Sequence, residues 1–385
     1  MSYAGQQTIL DADSHVMEHG DFLDPYLSEE DRKLLNRAMF EAAHERLDIA
    51  KANAEARQAD PEVRATAEER IMLDKGWMAM GGWDPAERSR VLDLLGFDAQ
   101  LVFGTFGTLL YKGRESVDLY VGTSAFNQAM ADFCSHDPRL LAVANIPLKD
   151  PKKATVAATE AIEAGCAAVM VPSLPAGDLA PTHPDLDQFW DTLAESDTPF
   201  VLHVGGGGKL LDRAYHNNNM PVTDHLGGGE NIRSKDYLAI HHSPEIFLGA
   251  LILDGLFDRF PKLRGGCIEQ GAGWVVSWLH HLDGAVRSFS RTEEPLQRLA
   301  MKPSDYVRKH LKFTPFPGEP VGWMIQQAGA ELFLFSSDYP HPEGTRDPLG
   351  KFAATLDGIS ESDQAKFYAG NFAELLGSRF PAAVA

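Results

Sequence analysis

Short runs of apolar and β-branched residues alternate along the chain with stretches whose apolar positions recur at helical spacing. This alternation is typical of a parallel sheet whose strands are joined by crossover helices. It predicts eight strands, at residues 8–13, 99–104, 140–146, 167–172, 199–204, 263–269, 311–314 and 332–336. Eight such units predict an α/β fold of the (β/α)8 type, a TIM-like barrel.

The predicted helices lie between these strands, and two of them carry terminal signals. Residues 154–164 end at a glycine suited to a C-cap. Residues 243–260 begin with Ser-Pro-Glu, an N-cap residue followed by proline at the first helical position. The other helices are predicted at residues 85–95, 184–195, 273–289, 320–328 and 363–376.

Two segments interrupt the alternation. Residues 16–83 contain a charged, alanine-rich stretch whose composition favours helices, and residues 205–237 are rich in glycine and asparagine. Each follows the carboxyl end of a predicted strand, which is the face where barrel enzymes carry their active sites. We therefore expect a single domain over residues 1–385, in which these insertions after strands 1 and 5 are lids.

The negative charge of the chain argues against a nucleic-acid partner. It has 35 Lys and Arg against 55 Asp and Glu, a formal net charge of −20, whereas nucleic-acid binding needs a basic surface. No apolar run is long enough to cross a membrane and no signal peptide is visible, so we expect a cytoplasmic protein. The three widely spaced cysteines form no zinc motif. We expect a small-molecule substrate and a homo-oligomer.

Polar residues stand at the carboxyl ends of three predicted strands. Asp11, Asp13 and His15 alternate in the first strand, so their side chains point to one side, into the barrel mouth. Burying ionised carboxylates without a partner is costly, and a bound cation would explain them; a strand end that has reached solvent is the alternative. His203 stands in an otherwise apolar run, and Asp338 directly follows the last strand. This repetition favours a metal site over packing.

The residues at these strand ends resemble the motifs of a known enzyme family. The Asp-Ser-His opening, His203 and the Ser-Ser-Asp-Tyr-Pro-His stretch resemble the amidohydrolase superfamily, and specifically its amidohydrolase-related branch. That branch includes aminocarboxymuconate semialdehyde decarboxylase and aromatic acid decarboxylases. The stretch Arg-Phe-Pro-Lys-Leu-Arg leading to Gly-Ala-Gly-Trp, at 259–274, is similar to it as well. The resemblance covers nearly the whole chain outside the two insertions.

The resemblance implies a set of metal ligands. Asp13 and His15 would be the first-strand ligands, His203 the fifth-strand ligand and Asp338 the eighth-strand ligand, with Asp338 also acting in proton transfer. The lysine that bridges two metals in binuclear members is missing from the fourth strand, so we expect one ion. Nitrogen and oxygen ligands without thiolate fit Zn²⁺ or Mn²⁺.

The sixth strand departs from the pattern. Decarboxylases of this branch have a catalytic histidine there, whereas this chain has Glu269. Glu269 would serve as an acid–base group if its pKa were raised; otherwise it would orient a ligand or hold Arg264. His242, with its neighbour His241, is a candidate for the missing imidazole, or the pair is solvated at a helix entry.

Three further residues are candidates for substrate binding. Glu18 follows the first-strand motif, and His341 follows Asp338. The alternative for His341 is a turn residue between two prolines. Arg213 is a possible anion contact in the second insertion, although a solvated surface charge is the more common role for such a residue.

These features lead us to interpret the chain as a mononuclear metal-dependent hydrolase. Metal-activated water would attack an amide, an ester or an activated C–C bond of a small aromatic or ring-cleavage-derived substrate, and Asp338 would accept the proton. The alternative is a non-oxidative decarboxylase of an aromatic or muconate-type acid. Glu269 favours hydrolysis because its charge would repel a carboxylate substrate. A non-catalytic metal-binding barrel would have no need of all four ligands.

Overall fold

The computed structural model describes residues 2–112, 117–208, 210–220 and 234–381. Within these residues, one sheet contains seven parallel strands in chain order. They are β1 (Leu10–Val16), β2 (Ala99–Gly104), β3 (Leu140–Asn145), β4 (Ala168–Met170), β5 (Phe200–His203), β6 (Gly265–Ile268) and β7 (Leu311–Phe313). The alternation of the sequence therefore correctly predicts an α/β fold built on a parallel sheet.

The segment of residues 333–339 lies between β7 and β1. The Leu334 N–H donates to the Phe313 carbonyl at 2.9 Å, and the Ala12 N–H donates to the Phe335 carbonyl at 3.0 Å. The sheet is therefore curled, with one edge near the other. The predicted eighth strand is not a strand among the described residues, because a 3-10 turn precedes this segment and only isolated bridges join it to its neighbours.

Strand β1 is longer than the sequence pattern predicts. It runs to Val16, and all seven of its residues are buried. Its register with β2 shifts between Asp11 and Ser14, which is a bulge. Such a bulge re-aims the side chains that follow it. The acidic end of β1 is therefore part of the buried sheet and not a solvated strand end.

The helices alternate with the strands. The α-helices are α1 (Glu29–Lys33), α2 (Ala38–Ala42), α3 (His44–Ala59), α4 (Pro61–Glu69), α5 (Pro85–Leu95), α6 (Leu119–Ser135), α7 (Pro151–Glu163), α8 (Asp187–Glu195), α9 (Ser234–Ala239), α10 (His242–Leu253), α11 (Leu256–Arg259), α12 (Gly273–Phe289), α13 (Glu294–Arg298), α14 (Pro303–His310), α15 (Val321–Ala328), α16 (Pro348–Ala353), α17 (Glu361–Ala365) and α18 (Asn371–Leu376).

Several single turns complete the secondary structure. The 3-10 turns are Asp24–Tyr26, Gly76–Met78, Gly107–Leu110, Pro184–Leu186, Arg213–His216, Ala330–Leu332 and Gly377–Arg379. A π turn, Lys366–Gly370, joins α17 to α18. No helix in the described part of the chain is long and apolar enough to span a membrane.

Two helix predictions differ from the structure for local reasons. Residues 243–260 form two helices, because Gly255 has a φ of 72° and ends α10. Helix α10 begins at His242 and not at an N-cap Ser243. The alanine-rich stretch within residues 16–83 is helical as expected, in α2, α3 and α4. Of the segment 205–237, residues 209 and 221–233 lie outside the described residues.

Alternate residues of the strands pack into two separate cores. Leu101, Val143, Val201 and Ile268 belong to one cluster, together with Leu375 of α18. Their strand neighbours, among them Val102, Ala144 and Leu202, belong to the larger cluster that includes the surrounding helices. The first cluster is thus enclosed by the sheet, and polar side chains lie above it at the carboxyl ends of the strands.

Candidate metal centre and active site

Four predicted site residues converge at the carboxyl ends of β1, β5 and β6. Asp13 Oδ1 lies 3.3 Å from His15 Nε2 and 3.3 Å from His203 Nε2. Glu269 Oε2 lies 3.4 Å from His203 Nε2. The ligand atoms of the four side chains are all within 4.8 Å of one another. Residues up to 256 positions apart in sequence (13 and 269) thus meet in one small volume.

Asp338 and His341 adjoin this cluster. Asp338 Oδ1 lies 3.6 Å from His15 Nε2 and 3.0 Å from His341 Nδ1. The rings of His341 and His15 stack with centroids 3.7 Å apart. Thr105 Oγ1 lies 2.8 Å from the other ring nitrogen of His341, so this imidazole is held on both sides. His341 is a buried member of the site and not an exposed turn residue.

Backbone strain marks two of these positions. Glu269 has a φ of 53° and Asp338 a φ of 54°, in the left-handed region that costs a side-chain-bearing residue about 1–2 kcal/mol. Each is fixed there by its N–H, which donates to Thr314 Oγ1 at 2.8 Å for Glu269 and to the Asp13 carbonyl at 2.9 Å for Asp338. Strain of this kind clusters at functional sites.

A buried network of hydrogen-bonded polar side chains holds Ser337, the residue before Asp338, in place. The Ser337 N–H and hydroxyl donate to Asp11 Oδ1 and Oδ2 at 2.8 and 2.6 Å. Gln100 Nε2 also donates to Asp11, at 2.7 Å, and Arg88 Nε donates to Gln100 Oε1 at 3.1 Å. Burial raises the pKa of Asp11 to about 7, although these hydrogen bonds oppose the shift. Asp11 therefore holds the loop that carries Asp338 and does not join the cluster itself.

The carboxylates and imidazoles of the site shift one another's pKa values. Burial alone would raise the pKa of Asp13, but the adjacent His203 and His15 hold it below its usual range. Burial alone would lower the pKa of His203, but Asp13 raises it. Burial raises the pKa of Asp338, and burial together with His341 lowers the pKa of His15. The site thus holds three imidazoles close to several carboxylates, and burial and mutual contact shift the pKa values of both kinds of group.

A divalent ion fits this arrangement. His15 Nε2 is buried and has no hydrogen-bond partner in the part of the chain that the structure describes. It faces two carboxylate oxygens and lies beside His203, so the donor set combines imidazole nitrogen with carboxylate oxygen. Zn²⁺ and Mn²⁺ both accept such ligands. A cation would also resolve the cost of burying neighbouring carboxylates.

The cluster opens into a cavity of about 650 Å³. His15, His203, Glu269 and His341 line it on the side of the cluster. Much of the remaining wall is apolar, formed by Phe103, Leu109, Leu119, Phe126, Val143, Met170, Leu174 and Leu210. Its other polar side chains include Thr105, Thr108, Lys112, Asn145 and Glu343. The sequence offered no motif for Thr105, Lys112 or Asn145, although all three lie at or after the carboxyl ends of β2 and β3.

Three other predicted residues lie differently. The Glu18 carboxylate accepts hydrogen bonds from the backbone N–H groups of Thr105 and Phe106 at 2.8–3.1 Å, so it anchors the loop after β2 and does not line the cavity. His242 is exposed at the start of α10, also outside the cavity lining. The backbone of Arg213 is in a 3-10 turn, but its side chain lies outside what the structure describes.

A family model described as amidohydrolase matches residues 11–378. The γ-resorcylate decarboxylase of Polaromonas sp. is 24% identical over 325 residues, which cover 79% of this chain and 93% of that protein.

Solved structures share the fold. An amidohydrolase of Mycobacterium avium subsp. paratuberculosis superposes with a TM-score of 0.71 at 20% identity, over 97% of this chain and 100% of the other. The 5-carboxyvanillate decarboxylase of Novosphingobium aromaticivorans, solved with manganese and 4-hydroxy-3-methoxy-5-nitrobenzoic acid, gives 0.62 at 16% identity over 97% of each chain.

Proposed function

The chain belongs to the amidohydrolase family, and from this premise we propose that it is a metal-dependent, non-oxidative decarboxylase of an aromatic acid. The observation that carries the proposal is the buried cluster of imidazoles and carboxylates at one side of a largely apolar cavity of about 650 Å³. Such a cavity suits an aromatic ring, and the cluster suits a cation that would bind the carboxylate of the ring. The names of similar proteins support the same reaction.

In the proposed enzyme, three side chains of the cluster and the adjoining Asp338 would bind the metal ion. Asp13, His15, His203 and Asp338 hold one divalent ion, Mn²⁺ or Zn²⁺. When bound, this ion supplies positive charge that orients the carboxylate of the substrate and stabilises the negative charge that develops on the ring. In our proposal, residues 333–339 take the position of the eighth strand of the barrel, and this places Asp338 beside β1.

Asp338 and His341 form the proton-transfer pair. The Asp338 Oδ1 and His341 Nδ1 atoms are 3.0 Å apart, within reach of a proton passing between them. Thr105, at 2.8 Å from His341 Nε2, keeps the ring in this orientation. The pair can deliver a proton to the ring carbon from which CO₂ departs. The apolar wall excludes water from that carbon.

Hydrolysis remains the second candidate because of one observation. Glu269, and not histidine, stands at the end of β6, and its Oε2 lies 3.4 Å from His203 Nε2. A carboxylate there provides a base for a water molecule, and it adds negative charge beside the substrate. In the decarboxylase proposal, Glu269 lies beside the ligand His203, and the positive charge of the ion would offset the negative charge of Glu269.

A substrate panel separates the two reactions. Protein loaded with Mn²⁺, and in parallel with Zn²⁺, is incubated with hydroxybenzoates and with aromatic esters, amides and lactones, while CO₂ release and hydrolysis are both measured. We expect CO₂ from at least one hydroxybenzoate and no hydrolysis, with the rate lost in Asp338→Asn. Hydrolysis of an ester, amide or lactone at an enzymatic rate without any CO₂ release would overturn the proposal in favour of the second candidate.

A further inference from the structure

One cation lies in the wall of the active-site cavity. Lys112 follows the 3-10 turn Gly107–Leu110 after β2, and it is the only lysine or arginine among the described residues that line the cavity. Its ammonium group donates to Asn145 Oδ1 at 3.5 Å. It thus lies in the same cavity as the carboxylates of the metal cluster, but on the part of the wall formed by the ends of β2 and β3.

The partner of Lys112 is neutral and fixed. Asn145 is the last residue of β3, and its backbone N–H donates to Asn127 Oδ1 at 2.8 Å. Asn145 Nδ2 also contacts the Met170 sulfur at 3.7 Å. Asn145 therefore offers Lys112 an acceptor in a defined place without neutralising its charge.

The charge of Lys112 has no carboxylate partner among the described residues. The exposed lysines elsewhere in the chain are often paired, for example Lys262 with Glu195 at 3.1 Å. The Lys112 side chain is exposed and lines the cavity, and desolvation by the surrounding protein lowers the pKa of its ammonium group. An ammonium group that lines a cavity of mainly apolar walls, and that has no carboxylate partner among the described residues, favours an anionic ligand in that cavity.

We propose that Lys112, oriented by Asn145, binds a second anionic oxygen group of the substrate, either a carboxylate or a phenolate. The substrate class is then an aromatic acid with two acidic groups: one carboxylate directed to the metal cluster and one anion directed to Lys112. This inference rests on the proposed function for the identity of the first carboxylate. It makes Lys112 a residue that determines specificity, because a singly charged benzoate would leave its ammonium group unpaired.

Equilibrium binding tests the proposal without turnover. Calorimetric titrations of the Mn²⁺-loaded protein compare three ligands: benzoate, benzene-1,3-dicarboxylate and a nitro-substituted hydroxybenzoate whose phenol is ionised at the assay pH. We expect at least one of the doubly charged ligands to bind about ten-fold more tightly than benzoate, as one charge-assisted hydrogen bond provides. If the dicarboxylate gains more affinity over benzoate, the second anionic group is a carboxylate. If the hydroxybenzoate gains more, the second group is a phenolate.

Variants of Lys112 test whether its side chain causes the preference for doubly charged ligands. Lys112→Met keeps an unbranched side chain that is one atom shorter and removes the charge, and it should abolish the preference; Lys112→Arg should retain it. Lys152→Met is the matched control, since Lys152 is an exposed lysine at the start of α7 outside the cavity lining, and it should also retain the preference. Thermal unfolding of each variant checks that it folds.

The results separate this inference from the proposed function. If Lys112→Met and the wild type show the same ratio of affinities, or if the wild type shows no preference, the role of Lys112 is refuted even where decarboxylation is found. If the preference depends on Lys112 but the protein hydrolyses esters without releasing CO₂, the reaction is wrong and the anion site stands.

Discussion

Asp11 lies below the metal cluster, and its replacement by asparagine isolates the contribution of the buried network that supports Asp338. The substitution preserves the shape of the side chain and leaves no cavity. It exchanges one acceptor oxygen for an amide group that donates. Four donors converge on the carboxylate of Asp11: the Ser337 N–H, the Ser337 hydroxyl and the Gln100 amide at 2.8, 2.6 and 2.7 Å, and the Asp13 N–H at 3.3 Å.

The hydrogen bonds around Asp11 determine how much stability the substitution costs. The Ser337 hydroxyl can rotate and accept from the new amide. Gln100 cannot reverse its amide, because Arg88 Nε donates to its Oε1 at 3.1 Å. One buried donor therefore loses its acceptor, which costs about 1–3 kcal/mol of unfolding free energy. Because Ser337 precedes Asp338, we also expect metal affinity to fall about ten-fold or more, as for other residues that hold metal ligands in place.

The assay is urea unfolding at pH 8, where Asp11 is ionised, together with a Mn²⁺ titration of each protein. Asp98→Asn is the control, since Asp98 accepts the Ile9 N–H at 2.9 Å outside the cavity lining and asparagine can still accept that bond. We expect this control to stay within about 0.5 kcal/mol of the wild type. If Asp11→Asn equals Asp98→Asn in both stability and Mn²⁺ affinity, the supporting role of Asp11 is refuted.

Two further predictions concern buried charges. Burial raises the pKa of Glu18 from 4.5 to about 7, so the unfolded chain releases this proton at lower pH than the folded protein does. Relative to Glu18→Gln, the wild type should lose about 3 kcal/mol of stability as the pH rises from about 4.5 to 7, and a difference that does not change with pH would contradict this. The Arg57 guanidinium binds Glu87 at 2.7 and 2.8 Å in a buried pair between α3 and α5, whereas Arg90 binds Glu68 at 3.0 and 3.1 Å between α5 and α4 in an exposed one. Arg57→Met should cost about 3 kcal/mol or more in chemical denaturation and Arg90→Met less than about 1 kcal/mol; equal costs would show that burial does not decide the effect.

The sequence pattern was sufficient for much of the architecture because the strands and helices carry local signals. Helices α5 and α12 and strand β2 have the predicted bounds. The predicted end of β1 at residue 13 was wrong, since the strand runs to Val16 and its polar residues are buried within the sheet. The break between α10 and α11 depends on the backbone of one glycine, and a single glycine within an apolar helical pattern does not predict it.

The candidate site was predictable to the extent that its residues follow strands. Asp13, His203, Glu269 and Asp338 were singled out for that reason, and the structure brings them together. The direction of the Glu18 side chain was not predictable, because it is set by the backbone of the loop after β2. Lys112 and Asn145 belong to the site only through the pairing of β2 with β3, which no local pattern describes.

Both candidate reactions require one divalent ion at the convergence of β1, β5 and residue 338. The most direct test is a crystal soaked with Mn²⁺ and measured at a wavelength where manganese scatters anomalously. We expect a single strong anomalous peak per chain within bonding distance of His15 Nε2, His203 Nε2 and the carboxylates of Asp13 and Asp338, and its loss in His203→Ala. A peak bound elsewhere, or a peak that persists at full height in His203→Ala, would contradict the proposed metal centre.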